Sequence, residues 1–443
     1  MTGVLVAGSG VAAVECVLAL RALAGPRVAI ELLSPVAEFV HRPSSVRTPF
    51  GGAPPPRVQL DRLAAELGLR LHRDALASVE SKQHHVHTRD GASVPYELLV
   101  VATGARSHDA VPGAMTFQGP TSAGLVEQAI TRVAASPERR LAFTAPAGAR
   151  WLLPLYELAL LAARTLRERG VSDPDILVAT SEHEPLQVLG PAAGEAVRGA
   201  LDAAGIDLVT SAAAVSALEG ALRLEDGRLV PADDVVALPK LLGPSIGGLP
   251  HDDDGYLPVD EHGRVHGATD VYAAGDVTDV PVKHGGLAAQ QADAVAQAIA
   301  ARVGAIGFPE PFRPVLRGLL LTGGAPLYLR AELGPGGRRE HRVLPVEGTV
   351  SSQALWWPPG KVAGRYLTPF LATGDAASAP LEDRGPSEED DYDLALLVAE
   401  QDAASGDHAA AVRALDEIEA RLGRLPAEAA ERRDEWRRQL ARG

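Results

Sequence analysis

The sequence is poor in thiols and in positive charge. Cys16 is the only cysteine among 443 residues, so the chain can form no intrachain disulfide, no Cys-x-x-Cys redox pair and no thiolate-rich metal site. Lysine and arginine total 42 against 57 aspartates and glutamates, which gives a formal net charge of −15. This negative charge argues against nucleic acid or an anionic membrane as the main partner. We expect small-molecule partners instead.

Long hydrophobic runs are also missing. No stretch of about 18 uncharged apolar residues occurs, so the sequence predicts no membrane-spanning helix. The apolar N-terminal segment lacks a basic leader and contains a Gly-x-Gly turn, and we interpret it as mature structure rather than a signal peptide. We expect a cytoplasmic location, with membrane contact absent or peripheral. A length of 443 residues, 46% of them hydrophobic, predicts about three domains with cores of their own.

The N-terminal residues predict a strand, a glycine turn, a helix and a second strand. Residues 3–8 are apolar and end in Gly8-Ser9-Gly10, residues 11–23 have a helical pattern, and residues 28–33 form the next apolar run. The turn glycines, in a Gly-x-Gly-x-x-Ala-x-Glu pattern, let the backbone approach a pyrophosphate at the positive end of the helix.

The residue expected to bind a ribose lies about 20 residues after such glycines. Glu31 is near that distance, but Leu32 and Leu33 continue the strand, so Ser34 stands at the predicted strand end. We therefore assign the ribose contact to the Ser34 hydroxyl and interpret Glu31 as a charge at the strand edge or facing a helix.

Two later segments strengthen the nucleotide interpretation. Residues 96–105 are a predicted buried strand ending in Ala102-Thr103-Gly104, and residues 270–279 are a second one ending in Gly275-Asp276. An apolar helix around residues 287–299 follows. An aspartate at a strand end beside a helix start can accept hydrogen bonds from ribityl hydroxyls, and the helix dipole can stabilise negative charge on a reduced ring.

With these motifs the chain resembles the flavoproteins of the pyridine nucleotide-disulfide oxidoreductase superfamily, in particular the branch of sulfide:quinone reductases and type II NADH dehydrogenases. The resemblance covers roughly residues 1–380 and is carried by VAGSGVAAVE, LLSPVAEFVHRPS, YELLVVATGA, GYLPVD and VYAAGDVTDVPVKHGGLAAQQADAVA. It implies an α/β fold with two Rossmann-like dinucleotide-binding domains of the three-layer ββα type, the second inserted in the first. It also implies FAD as a cofactor bound in an extended form.

Carried over by position, the resemblance implies a set of cofactor contacts. They are Gly8, Gly10 and Ala12 at the pyrophosphate, Ser34 at the adenosine ribose, Leu76 at the adenine, Arg42, Pro43 and Ser44 along the flavin, Thr103, Gly104, Gly275 and Asp276 closing around the cofactor, and Lys283, His284 and Gly285 at the pyrimidine side of the ring system.

The expected domains follow the same resemblance. They are residues 1–108 with 246–305 as the FAD-binding domain, residues 109–245 as a second, NAD(P)-type domain, residues 306–386 as a C-terminal α+β domain, and residues 387–443 as a helical hairpin tail. The tail follows a Pro-rich acidic linker (380–391) and resembles one tetratricopeptide unit. Because one repeat cannot bury its own core, we expect it to dock on this chain, on a second copy or on a partner protein.

The turn of the second domain departs from a dinucleotide fingerprint. After the strand at residues 141–144, the loop has only Gly148, and bulky Arg150 and Trp151 stand where backbone should approach phosphate. Two interpretations stay open: NAD(P)H binds the degenerate domain as electron donor, or the loop blocks that site. Glu182 is either a ribose ligand or a solvated strand-end charge.

The same loop bears on the chemistry. The run GARWLLPLYELALL resembles the sulfide:quinone reductase segment in which Gly-Ala-x-Cys leads into Pro-x-Tyr-Glu, with Trp151 in place of the nucleophilic cysteine. We therefore expect neither sulfide oxidation nor dithiol exchange. Glu157, at the helix start, either relays a proton with a raised pKa or stabilises the helix. With Lys283 and His284 it completes the catalytic candidates.

Two weaker signals keep alternatives. Three histidines in residues 82–87 suggest a metal site, but strand alternation sends neighbours to opposite faces, and no metal is expected. The aromatic loop 356–366 either lines an acceptor pocket or is a packed corner.

These patterns predict an FAD-dependent oxidoreductase that passes electrons from a donor, with NAD(P)H the open candidate, to a small acceptor such as a quinone without a cysteine relay. The alternative is a flavin-binding scaffold or sensor with vestigial redox activity whose C-terminal helices recruit a partner protein.

Overall fold

The computed structural model describes residues 1–334, 345–381 and 383, and in the C-terminal part residues 396, 399–400, 402–403, 406–422, 425 and 427–441. The predicted acidic linker and the predicted domain boundary at residue 386 lie largely outside these described residues.

The strands of the described residues are named in chain order. They are β1 Thr2–Ala7, β2 Val28–Leu33, β3 Glu38–Val40, β4 Arg57–Gln59, β5 Arg70–His72, β6 Leu76–Glu80, β7 His85–Thr88, β8 Ser93–Pro95, β9 Leu98–Val101, β10 Arg106–His108, β11 Met115–Thr116, β12 Leu141–Thr144, β13 Ile176–Ala179, β14 Ile206–Val209, β15 Ala214–Leu218, β16 Ala221–Leu224, β17 Leu229–Pro231, β18 Asp234–Ala237, β19 Lys240–Leu242, β20 Val271–Ala273, β21 Val315–Leu320, β22 Leu327–Leu333 and β23 Pro345–Ser351.

The helices are named in the same way. They are α1 Val11–Ala24, α2 Leu60–Leu67, α3 Ala123–Ala135, α4 Leu153–Glu168, α5 Pro191–Ala203, α6 Gly285–Arg302, α7 Leu367–Thr373, α8 His408–Leu422 and α9 Ala427–Leu440, with a longer 3₁₀ helix at Arg42–Phe50.

The first sheet has the strand order β20-β9-β1-β2-β5, and its strands are parallel. Its central strands are continuous apolar runs because helices or further strands cover both faces. Helices α1 and α6 pack together on one face through small side chains such as Ala13, Ala292 and Ala296, which let the two backbones approach closely. Both helices begin at the carboxyl edge of the sheet, where parallel α/β sheets bind ligands.

The second sheet repeats this architecture in the order β11-β18-β12-β13-β14 and is also parallel. It packs against α3, α4 and α5, whose apolar faces share one buried cluster with the sheet. We call the part of the chain around the first sheet the first half, and the part around the second sheet, between β10 and β19, the second half. The strands β10 and β19 form a two-stranded antiparallel ribbon where the chain leaves the first half and where it returns to it. The predicted α/β fold class with parallel Rossmann-like sheets is therefore confirmed.

Smaller antiparallel sheets complete the fold. They pair β3 with β4, β6 with β7 and β8, β15 with β16 and β17, and β21 with β22 and β23. The last of these follows α6 and packs beside α4. We keep the four-part division of the chain given above as a proposal. In the part of the chain that the structure describes, no helix is both long and apolar enough to cross a bilayer.

Candidate functional site

The N-terminal glycine turn leaves the start of α1 open. Gly8 has φ +141°, and a Cβ there would overlap the carbonyl oxygen of Ala102, so the close approach of β1 and β9 requires glycine. Gly10 is exposed, and a Cβ on it would meet no atom within 4 Å. No described side chain caps α1, and its first turn has no acid. The free N–H groups and the helix dipole can therefore bind an anion such as a pyrophosphate.

The loop after β20 adjoins this turn. Gly275 has φ +83°, and a Cβ on it would lie 2.9 Å from the Cβ of Ala12 on α1. The next residue, Asp276, has a carboxylate whose pKa is raised by burial, an effect that the nearby Lys283 ammonium opposes. Among the described residues none donates a hydrogen bond to this carboxylate. A half-buried acceptor without a protein donor fits the hydroxyls of a bound ligand.

The start of α6 gathers residues from two distant segments. The His284 side chain caps the helix, since its Nδ1 accepts a hydrogen bond from the Leu287 N–H at 3.3 Å. The ring of Pro43 comes within 3.5 Å of the position of a Cβ on Gly285. Ser44 Oγ lies 2.7 Å from His41 Nδ1. The structure thus brings the segment 41–44 and the segment 283–285 together, as the resemblance implies.

The His284 ring is neutral at physiological pH. Burial, and then the positive charges of Lys361 and Arg317, lower its pKa to about 3. Because Nδ1 accepts from the backbone, the proton of the neutral ring is on Nε2. The Trp151 ring stacks on it in a tilted arrangement, with the centroids 4.6 Å apart.

Two cations meet one tyrosine beside Asp276. Lys283 Nζ lies 3.7 Å from the centroid of the Tyr256 ring, and the Arg150 guanidinium lies 4.6 Å from it. Lys283 also donates to the carbonyl of Thr278, and burial lowers its pKa to about 7. Arg150 forms an ion pair with Asp254 at 2.6 Å. The sequence analysis missed Tyr256, although the GYLPVD motif contains it.

Glu157 is held in a buried ion pair. It lies on the first turns of α4, is 0% exposed, and its Oε1 accepts hydrogen bonds from Lys361 Nζ and from the Leu321 N–H at 3.0 Å. Its Oε2 is buried without a partner among the described residues. Burial raises the pKa of Glu157 and lowers that of Lys361, and each partner opposes the shift of the other. Sequence reasoning did not find this pairing because the residues are 204 positions apart.

The other predicted contact residues differ in their exposure. Ser34 is buried, and its hydroxyl lies 3.2 Å from both the N–H and the carbonyl of Val36. Leu76 is half-buried in β6, while Arg42 and Thr103 are exposed. Gly104 has φ +73° directly after β9. Their roles toward a cofactor stay predictions.

The histidines of residues 82–87, Glu31 and the aromatic loop all form contacts within the protein. His84 forms an ion pair with Asp270 at 3.2 Å and His87 one with Glu80 at 3.1 Å. No group of three or more metal-ligating side chains was found among the described residues. Glu31 lies 2.5 Å from His72 on the neighbouring strand, which fits a strand-edge charge. Trp356 is fully buried against Tyr328, so this part of the aromatic loop is a packed corner.

A family model matches about a third of the chain, including part of this site. Residues 157–301 match the family described as pyridine nucleotide-disulphide oxidoreductase. The match begins at Glu157 and includes Asp276 and the start of α6.

Solved structures with the same fold cover most of the chain. The sulfide:quinone oxidoreductase of Aquifex aeolicus is similar over 80% of this chain and 87% of its own, with a TM-score of 0.71 and 20% identity. The ferredoxin reductase for the CYP199A2 system of Rhodopseudomonas palustris is similar over 76% and 83%, with a TM-score of 0.58 and 20% identity. The covalent putidaredoxin reductase–putidaredoxin complex is similar over 75% of this chain and 81% of its own, with a TM-score of 0.56 and 20% identity. The resemblance recognised in the sequence is thus confirmed, and the chain has the fold of the pyridine nucleotide-disulphide oxidoreductases.

Proposed function

We propose that this protein is an FAD-dependent oxidoreductase that passes electrons from a donor, with NAD(P)H as the first candidate, to a small acceptor such as a quinone. The observation that carries the proposal is the meeting of the open α1 start with the Asp276 carboxylate, which lacks a described donor. A glycine turn at a helix start binds a phosphate, and a carboxylate at a strand end accepts hydrogen bonds from hydroxyl groups. A flavin dinucleotide presents both.

The residues around the two helix starts fit this cofactor. Gly8, Gly10 and the N–H groups of α1 would hold the pyrophosphate, and Asp276 would accept from the ribityl hydroxyls. The positive end of α6 and the Lys283 ammonium favour negative charge in their neighbourhood. Bound there, FAD would supply the electron transfer between donor and acceptor, which the side chains of this protein cannot perform themselves.

The chain offers two groups for protons near the start of α6. The pKa of the Glu157 carboxyl is raised by burial, and its buried Oε2 has no described partner, so Oε2 is the atom at which this side chain would take up and release a proton. His284 stays neutral and can donate from Nε2. Of the two we assign proton transfer to Glu157, because a pKa of about 3 makes His284 a weak base.

The thiol of Cys16 supports the absence of a cysteine relay. It is 0% exposed on α1, and burial together with Asp293 and Glu15 raises its pKa. A protonated, enclosed thiol is a poor nucleophile. We propose that electrons pass without it, and Cys16→Ser should keep full turnover.

The test uses the purified protein and its visible spectrum. We expect flavin absorbance that is lost on Asp276→Ala and kept in Asp279→Asn, a nearby change of charge on the same loop. Anaerobic stopped-flow mixing then compares NADH with NADPH, and bleaching within seconds identifies the donor. Colourless wild-type protein after reconstitution with FAD would refute the proposal, whereas flavin that neither nucleotide bleaches would remove only NAD(P)H.

The tail favours a second candidate, a scaffold that recruits a partner. Its helices bury a cluster of their own, with Leu415, Ile418 and Trp436 at its centre. Among the described contacts, an ion pair of 3.5 Å between Arg47 and Asp402 joins the tail to the body. Deleting residues 387–443 separates the functions: unchanged turnover with loss of complex formation supports recruitment, and lost turnover opposes it.

A further inference from the structure

Two buried carboxyl groups face each other between α1 and α6. Glu15 on α1 is 0% exposed, and its side chain hydrogen-bonds that of Asp293 on α6. Two carboxyl oxygens can share a hydrogen bond only when a proton lies between them. This pair lies one helical turn inside the start of α1.

The hydrogen bonds show which partner carries the proton. Both oxygens of Glu15 accept from backbone N–H groups, Oε1 from Tyr366 at 2.7 Å and Oε2 from Leu367 at 2.8 Å. These donors favour the carboxylate form of Glu15. Asp293 Oδ1 has no partner among the described residues, which costs less for a neutral acid than for a buried anion. Asp293 is therefore the acid that donates to Glu15.

The backbone that Glu15 binds belongs to a segment that crosses from Glu15 on α1 to the start of α6. This crossing segment, residues 361–367, packs on the start of α6, where Val362 Cγ2 comes within 2.8 Å of the position of a Cβ on Gly285. At its centre a Cβ on Gly364 would lie 2.6 Å from Glu15 Oε2. Its first residue is Lys361, the partner of Glu157.

We propose that Glu15 and Asp293 share one proton and act as a latch that positions the crossing segment, and with it Lys361, over the start of α6. When that proton is lost at alkaline pH, two negative charges face each other and the segment loosens. The latch goes beyond the proposed function; the importance of Lys361 rests on that function, but the latch itself does not.

The other groups that face the pair leave it as the titrating unit. Arg365 is on the crossing segment, is exposed, and favours the charged form of Asp293 from a distance. The Cys16 thiol and the Tyr366 hydroxyl both have raised pKa values and stay neutral. Burial raises the pKa of Glu15 from 4.5 to about 7 and that of Asp293 well above its ordinary value. Both groups bind protons more strongly in the folded state, so their stabilisation is complete below pH 4 and is lost as the pH rises through 7 and beyond.

Hydrogen exchange tests the latch without any flavin signal. Millisecond labelling at pH 7 and pH 9.5 gives protection factors for the amides of Tyr366 and Leu367, corrected for the intrinsic rate at each pH. In the wild type we expect protection to fall by about tenfold or more between the two values, since each pKa unit is a tenfold change in protonation. Asp293→Asn donates to Glu15 at every pH, so its protection should stay constant. Asp293→Ala has no donor and should be unprotected already at pH 7.

A matched control is Glu182→Gln, which removes another buried carboxyl with a pKa of about 7 in the second half. It should leave these two amides as in the wild type. Protection in Asp293→Asn that falls with pH as steeply as in the wild type would overturn the latch, and so would wild-type protection in Asp293→Ala. If the Ala variant does not fold, the Asn variant alone decides. Flavin absorbance, read separately, reports on the proposed function.

Discussion

The two halves of the molecule start alike and then diverge at their first turn. In the first half three residues separate β1 from α1, and the helix start is left open. In the second half eight residues separate β12 from α4, and Arg150 and Trp151 fill the space, the first paired with Asp254 and the second stacked on His284. The same strand-turn-helix unit thus leaves an open helix start in one half and forms a wall toward that start in the other. Fold similarity alone does not carry binding function.

The largest effect should come from closing the first turn. Gly8→Ala places a Cβ on the carbonyl of Ala102 at a φ of +141°, and we expect the free energy of unfolding to fall by about 4 kcal/mol from overlap and strain together. Flavin absorbance should disappear with it. Gly148→Ala is the control in the second turn, because a Cβ there meets no atom within 4 Å, and only the φ of +74° costs about 1–2 kcal/mol. Urea denaturation measures both, and equal losses would contradict the contrast.

The helix after the second turn depends on its ion pair. Lys361→Met leaves the Glu157 carboxylate buried without its cation, and we expect a loss of about 3 kcal/mol. The double variant Glu157→Gln/Lys361→Met removes both charges and should recover more than half of this. Urea denaturation measures the free energy of unfolding of both variants. A double variant less stable than Lys361→Met would contradict the prediction that the unpaired charge causes the loss.

The residues after the second strand of each half differ in their dependence on pH. Ser34 does not titrate, whereas burial raises the pKa of Glu182 from 4.5 to about 7, although the Tyr156 hydroxyl donates to it at 2.6 Å. A raised folded pKa stabilises below pH 4.5, and this contribution is lost as the pH rises through 7. The free energy of unfolding of the wild type should therefore fall as the pH rises. In Glu182→Gln this fall should be smaller by about 2 kcal/mol, a value reduced to allow for partial exposure. Thermal unfolding of both proteins between pH 4.5 and 8 measures this difference. If the stabilities of the wild type and of Glu182→Gln change in parallel with pH, the prediction is wrong.

The smallest effect on stability should come from reopening the second turn. Arg150→Ala removes one partly exposed ion pair and should cost less than about 1 kcal/mol. If the loop is what keeps a dinucleotide out, the variant should bind NADH more tightly than the wild type in a calorimetric titration. Weaker binding would mean that Arg150 holds the nucleotide rather than excludes it.

The sequence predicted the parallel sheets and the first glycine turn because both are local: apolar runs and glycines set strands and turns within a few residues. It also placed Asp276 beside the turn, through the order of the motifs. It could not predict that Lys361 reaches Glu157, that Glu15 holds the backbone at residues 366–367, or that Trp151 stacks on His284. These contacts join segments more than 130 residues apart, and packing of the whole chain decides them.

The ribbon of β10 and β19 has a consequence for how such a protein can change over time. His108 and Lys240 are partners in register, so the path into the second half and the path out of it are one strand spacing apart. Everything between them can be lengthened, exchanged or lost without rethreading the first sheet. A nucleotide site in the half between the two strands could therefore decay while the other half kept its own.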